Sequence, residues 1–187
     1  ALGLDQRPLI LAIGRLVDVK DHATLITAVS QLPAQYRDQV QVAIIGDGPL
    51  HSSLTQQINR LGLQDQITLT GKIAHRDLPT WIGAAHQLCL PSKNEGQPNV
   101  LLEAIAAGRP VVASATGGIT EIVTPGNGLL FPVGDSQALA TAISHCLEQD
   151  WHPAAIQETI AERTFEHMAE QYLTIFNALL SAESGKP

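Results

Sequence analysis

Two glutamates with seven residues between them bound the segment Glu95-Gly-Gln-Pro-Asn-Val-Leu-Leu-Glu103. Far upstream, two cations stand in Gly14-Arg15-Leu-Val-Asp-Val-Lys20. Carboxylates accept hydrogen bonds from hydroxyl groups, and cations hold phosphate oxygens through charge-assisted bonds. A chain with both sets has the side chains to grip a phosphorylated, hydroxyl-rich ligand. Between the glutamates, Pro98 opens an apolar run with helical character. Proline suits a first helical position because its missing N–H would be unpaired anyway. The amides after it, at Asn99 and Val100, then point outward, and such a helix start binds phosphate. Glu103 sits in Val100-Leu-Leu-Glu-Ala-Ile-Ala-Ala107, among apolar neighbours only. This helix is expected to be buried almost all round, where a carboxylate needs a hydrogen-bonding partner. A pair of ribose hydroxyls is one such partner; backbone amides or a lysine are others. Glu95, beside Gly96, suits sugar hydroxyls or is a plain exposed loop carboxylate.

These residues act together only if the fold brings them together. Short apolar runs bounded by Gly or Pro recur at Leu9–Ile13, Val40–Ile45, Ile67–Leu69, Gln87–Leu90, Pro110–Ala113 and Leu129–Phe131. They fit strands buried on both faces. Helical patterns separate them, at 23–32, 50–61, 78–85, 98–107 and 137–147. In the first of these, Leu25, Ile26, Val29 and Leu32 share a face. The tail from Pro153 to Leu180 reads as one or two further helices. Strand–helix alternation predicts an α/β fold: a Rossmann-like, doubly wound parallel sheet of about six strands with helices on both faces. In strand order 3-2-1-4-5-6 the ligand crevice lies between the first and fourth strands, beyond their carboxyl ends. Gly14–Lys20 follows one of these strands and Pro91–Gly96 the other. The crevice therefore sets Arg15 and Lys20 opposite the helix start at Pro98, a reasonable diphosphate site.

Composition narrows the alternatives. With 11 Lys+Arg against 18 Asp+Glu in 187 residues, the net charge of −7 argues against sequence-general nucleic-acid binding. The length suits one domain over residues 1–187, with 1–7 as a lead-in and 181–187 as a frayed end. No run reaches the roughly 18 apolar residues of a membrane span. Cys89 and Cys146 stand at apolar positions and read as buried thiols of a reducing compartment. The absence of an initiator Met and of a signal peptide suggests a cytoplasmic piece of a longer protein.

Other features point to little chemistry. Gly46-Asp-Gly48 begins like a dinucleotide fingerprint, but it lacks the third Gly and follows the second strand. The seven histidines show no metal-ligand spacing; they read as surface or capping residues, and no metal is expected. Gly117-Gly118 either cradles phosphate or sugar hydroxyls or makes a tight strand-to-helix turn. Glu121 reads as a helix-start carboxylate. Trp81 and Trp151 read as packing residues.

The ordered motifs resemble those of the family 4 glycosyltransferases. The two glutamates separated by seven residues match that family's signature, and Gly14-Arg15-Leu16 with Lys20 resembles its Gly-Arg-Leu segment and following Lys. Ile45-Gly-Asp-Gly-Pro49, Leu69-Thr-Gly71, Ala107–Ala113 and Gly117-Gly-Ile-Thr-Glu121-Ile-Val also fit in order. The resemblance runs from Leu9 to Leu147. It implies the carboxyl-terminal, donor-binding half of a GT-B fold, with an acceptor domain expected ahead of it. The resemblance assigns Gly14 to the donor site, Arg15 and Lys20 to the donor diphosphate, Glu95 to the donor sugar and Glu103 to the ribose. Pro98, Asn99 and Val100 would serve sugar and phosphates, and Ile73 would lie beside the base. Arg15, Lys20 and Glu95 would carry the catalysis. The implied reaction is sugar transfer from a nucleoside-diphosphate sugar to a glycan or lipid-linked acceptor, with retention and no cofactor. Peripheral association of the whole enzyme with the cytoplasmic membrane face is compatible with it. Two readings stay open: a GT-B nucleotide-sugar epimerase, and a non-catalytic nucleotide-binding module. The chain departs from the family pattern at Gln97, where an aromatic or apolar residue is common, and at Asp21, where Gly or Asn is.

Overall fold

The computed structural model describes residues 5–162 and Leu173. Among them six strands form one parallel sheet: β1 (Leu9–Ile13), β2 (Gln41–Ile45), β3 (Ile67–Gly71), β4 (Gln87–Leu90), β5 (Val111–Ser114) and β6 (Gly128–Phe131). Their order is β3-β2-β1-β4-β5-β6, as the alternation predicts. Eight α-helices are described: α1 (His22–Ser30), α2 (Ala34–Arg37), α3 (His51–Leu61), α4 (Leu78–Ala84), α5 (Asn99–Ala106), α6 (Ile119–Ile122), α7 (Ser136–Glu148) and α8 (Pro153–Glu158). The one-turn helices α2 and α6 are too short to show a period in sequence. The expected tail helix beyond α8 falls largely outside the described residues.

The period of 2 along each strand sorts the core into two layers. Ile10 and Ala12 of β1, Val42 and Ile44 of β2, Cys89 of β4 and Val112 of β5 face one cluster with α1, α3 and α7. Leu9 and Leu11, Ala43 and Ile45, Leu88 and Leu90, and Val111 and Ala113 face the other, with α4, α5, α6 and α8. Both faces of the central strands are therefore dry, which is why they read as unbroken apolar runs. The outer strands β3 and β6 are only partly covered. Each fully buried Leu or Ile contributes about 1.5–3 kcal/mol relative to an exposed one. Cys89 and Cys146 are both free and buried, and burial pushes both thiols up, that of Cys146 to about 12. They are packing residues with little thiolate character. Trp81 and Trp151 are partly buried against the core, and the Trp151 indole N–H donates to the Cys146 carbonyl at 2.9 Å. Among the described residues no helix is long and apolar enough to cross a membrane.

Candidate functional site

Strand order reverses between β1 and β4, so the loops leaving their carboxyl ends part to opposite sides and leave a crevice. After β1, the Gly14 amide donates to the Ile45 carbonyl at 2.9 Å and the Leu16 amide to Asp47 at 3.0 Å. Leu16 is fully buried and anchors the loop. A 3-10 turn over Asp18–Lys20 then leads into α1. The stem of Lys20 lies across Gly14: a Cβ on that glycine would sit 3.4–3.6 Å from three Lys20 carbons. Arg15 is exposed, and its side chain makes no hydrogen bond or ion pair with the described residues.

After β4, the loop 91–98 returns toward this turn. Lys20 Nζ meets Glu95 Oε1 at 2.5 Å, with the side chains 24% and 13% exposed. That burial takes the pair out of the weak, screened class of surface ion pairs. The Ser92 hydroxyl donates to the same carboxylate oxygen at 2.7 Å. The backbones are stitched as well, since the Lys93 amide donates to the Val19 carbonyl at 2.8 Å. An exposed Lys93–Asp18 ion pair at 2.7 Å adds little. The loop ends at Pro98, which is buried and stands at the cap of α5, so the helix begins one residue later than expected. The Leu101 amide donates to the Pro98 carbonyl at 3.0 Å. The amides of Asn99 and Val100, ahead of it in the first turn, have no intrahelical partner.

The expectation for Glu103 is corrected. Only Leu101, Ala104 and Ile105 of α5 are buried, and Glu103 is exposed beside Ala106 and Ala107. The small alanines made the segment apolar by composition while leaving one face in solvent. No burial penalty therefore demands a partner for Glu103. It shares its face with Asn99, one turn nearer the crevice. Gln97 is exposed. Ile73 follows β3 at the same sheet edge, partly buried against the second cluster, and no hydrogen bond ties it to the Lys20–Glu95 pair.

Gly117-Gly118 makes a tight turn against the glutamate loop. The Gly118 amide donates to the Glu95 carbonyl at 3.1 Å. A Cβ on Gly118 would come within 1.8 Å of the Gly96 carbonyl oxygen. The turn is a backstop for the glutamate loop, and the Thr116 hydroxyl reinforces it by donating to the Lys93 carbonyl at 3.2 Å.

His22 is not a surface or capping residue. It is 2% exposed, and neither ring nitrogen makes a hydrogen bond. Its position was legible, because residues 22, 25, 26 and 29 follow the spacing of one helical stripe. The expected helix start at Ala23 left it out by one residue. Burial holds its pKa below the usual 6.5, and nearby Lys20 adds to this against the carbonyls of Arg15 and Gly14 and the charge of Asp21. His86, whose Nδ1 accepts from the Leu9 amide at 3.1 Å, is lowered too, by burial and then Arg109. A histidine whose pKa falls on folding keeps the protein stable while neutral; that stability is lost as pH drops below the unfolded value. Tm should therefore decline below about pH 6.5. His22→Leu should flatten the decline in thermal melts at stepped pH, and an unchanged slope would exclude His22 as a source. Among the described residues no cluster of three His, Cys, Asp or Glu could hold a metal ion.

The family model described as "Glycosyl transferases group 1" matches residues 2–163. The alpha-D-kanosaminyltransferase of Streptomyces kanamyceticus is 32% identical over 91% of the chain and 43% of its own length. The D-inositol 3-phosphate glycosyltransferase of Nocardioides is 32% identical over 94% and 43%. Among solved structures, Anabaena HepE in complex with UDP superposes with TM-score 0.78 at 30% identity, covering 92% of this chain and 49% of that one. Sucrose-phosphate synthase from Thermosynechococcus elongatus gives 0.79 at 31% identity, covering 97% and 48%. The chain thus spans under half the length of each of these relatives.

Proposed function

From the premise that the chain belongs to the group 1 glycosyl transferases, we propose that it forms the donor half of an enzyme moving a sugar from a nucleoside-diphosphate sugar to a glycan or lipid-linked acceptor. The observation that carries this reading is the Lys20–Glu95 pair at the switch point, set between the Gly14–Arg15 turn and the start of α5. It combines a phosphate-binding cation with a sugar-binding carboxylate in one crevice. That the similar Anabaena HepE binds UDP supports a nucleotide ligand.

Breaking the bond from the anomeric carbon to the phosphate oxygen leaves positive charge on the ring and negative charge on the departing diphosphate. Lys20 and Arg15 stabilise the diphosphate as its charge develops, with the Asn99 and Val100 amides and the α5 dipole. These groups are in place before reaction, so little reorganisation is required. Glu95 holds the ring by accepting from a sugar hydroxyl, a contribution of position. Glu103 accepts from the ribose, and Ile73 lies beside the base. The reaction proceeds with retention and without a resident metal. The acceptor-binding groups come from the part of the enzyme outside this chain, which acts in the cytoplasm, at the membrane face where the acceptor is lipid-linked.

Calorimetric titration of the chain with UDP, GDP and ADP, and NAD as control, tests the reading. One diphosphate should bind at micromolar to millimolar strength, roughly 4–8 kcal/mol. A folded chain that binds none of the three overturns the reading. Glu103→Ala should weaken that nucleotide about tenfold while barely affecting its 2′,3′-dideoxy analogue, as expected for loss of hydrogen bonds to a charged acceptor. Equal affinity of the unmutated chain for both nucleotides would remove Glu103 from the ribose site.

A further inference from the structure

Glu95 Oε1 receives two donors, Lys20 Nζ at 2.5 Å and Ser92 Oγ at 2.7 Å. No described residue donates to Oε2, and the Glu95 side chain keeps 13% exposure. The two donors differ in kind. Lys20 is 24% exposed, and in the donor-site reading its ammonium is shared with the phosphates once a diphosphate binds. Ser92 is fully buried. Its carbonyl accepts from the Ser114 hydroxyl at 2.5 Å, and Ser114 is itself fully buried at the end of β5, an interior strand of the sheet. The Glu95 backbone is held independently by the Gly118 amide at 3.1 Å. Main chain and one carboxylate oxygen are therefore both tied to the rigid side of the crevice.

We propose that Ser92, backed by Ser114, is a positioning residue that holds Glu95 Oε1 and so presents Oε2 to the donor sugar. The inference rests on the donor-site reading above. A free glutamate has three side-chain torsions, and its two oxygens exchange by rotation. While Lys20 alone held Oε1, the carboxylate would follow the ammonium toward the phosphates on ligand binding. The Ser92 hydroxyl keeps one oxygen satisfied throughout, so the other meets the sugar already oriented.

The experiment compares the chain's affinities for UDP and UDP-glucose, and for GDP and GDP-mannose, by calorimetry. The readout is the conjugate-to-parent ratio, which isolates the sugar contact. Ser92→Ala should shift that ratio against the conjugate by about five- to tenfold, the scale of one ordinary hydrogen bond, because the orientation of the carboxylate is lost and not the carboxylate itself. In a Glu95→Gln background the same substitution should change the ratio less than about twofold, because its effect runs through the carboxylate. Ser114→Ala should shift the ratio in the same direction by less, and it serves as the second variant should Ser92→Ala fail to fold. A Ser92→Ala variant that weakens parent and conjugate by the same factor overturns the proposal as a purely structural effect. A shift that persists in full without the Glu95 carboxylate overturns it too. Failure of the donor-site reading shows separately, in the unmutated chain binding neither diphosphate, and removes the proposal with it.

Discussion

Lys20→Ala should weaken nucleoside-diphosphate binding by about 10–100-fold, the range for losing a hydrogen bond between charged groups. Three features set this loss above that expected for Arg15→Ala. The Lys20 stem is laid across Gly14, so its ammonium is in place before the ligand arrives and little side-chain freedom is lost on binding. Arg15 is exposed and unpartnered among the described residues and must be ordered by the ligand. Removing Lys20 also strips Glu95 of its ion-pair partner and leaves a carboxylate, 13% exposed, beside the incoming phosphates. That last effect can be separated. Lys20→Ala/Glu95→Gln should bind diphosphate more tightly than Lys20→Ala alone, because neutralising the orphaned carboxylate removes the repulsion. Calorimetry with UDP and uridine provides the contrast: the diphosphate loses the affinity and the nucleoside does not. Equal losses for both would remove Lys20 from the phosphate site. A double variant no better than the single one would show that the carboxylate does not face the phosphates.

Why the segments carrying Lys20 and Glu95 could be placed in one crevice from sequence, while the roles of Ser92 and His22 could not be read, follows from what each interaction leaves in the chain. Strands buried on both faces leave apolar runs. Their alternation with helices fixes a parallel sheet, and the sheet's order names the crevice. Residues just past the first and fourth strands therefore had to meet, and they do. The Ser92–Glu95 and Ser114–Ser92 bonds have no such trace, because hydroxyl bonds between loops follow no period. Glu103 shows the reverse error: the composition of its neighbours stood in for their burial, and alanine is apolar wherever it lies. At Asp21 the structure explains a departure that composition does not. Its backbone lies at φ +46, in the left-handed region, where Gly or Asn sits at least cost. Asp is among the few other residues tolerated there, and the Thr24 hydroxyl donates to its carboxylate at 2.8 Å. A left-handed backbone is thus enough to account for the Gly or Asn common at that position. At Gly117-Gly118 too, the backbone that the glycines approach accounts for the residue type.

Gly46→Ala should severely damage the frame that holds the crevice. Gly46 lies at φ +148, and an added Cβ would stand 1.9 Å from the Gly14 carbonyl oxygen and 2.8 Å from its carbon. Both obstacles are backbone, so no side chain can swing aside. The strained backbone costs about 1–3 kcal/mol, and displacing packed neighbours costs a further ~1–3 kcal/mol. For a domain of this size each kcal/mol lowers Tm by roughly 2–4 °C, so melting should fall by roughly 5–20 °C. Gly62→Ala is the matched control. It ends α3 at φ +67 with nothing within 4 Å of the added Cβ, so only the left-handed strain of about 1–2 kcal/mol remains. Melting curves of the two variants side by side separate collision from conformation; similar losses would mean that the Gly14–Gly46 contact yields without cost. The location of the collision adds a second consequence. Gly14 is the surface on which the Lys20 stem rests, and its own amide is bonded to Ile45 just before Gly46. Pushing Gly14 away moves the resting place of the ammonium. A folded fraction of Gly46→Ala should therefore lose diphosphate affinity in the same direction as Lys20→Ala, whereas Gly62→Ala should keep it. The close approach of two glycine turns, after β1 and β2, is in this way what allows a lysine on the first to be held against a glutamate that follows β4.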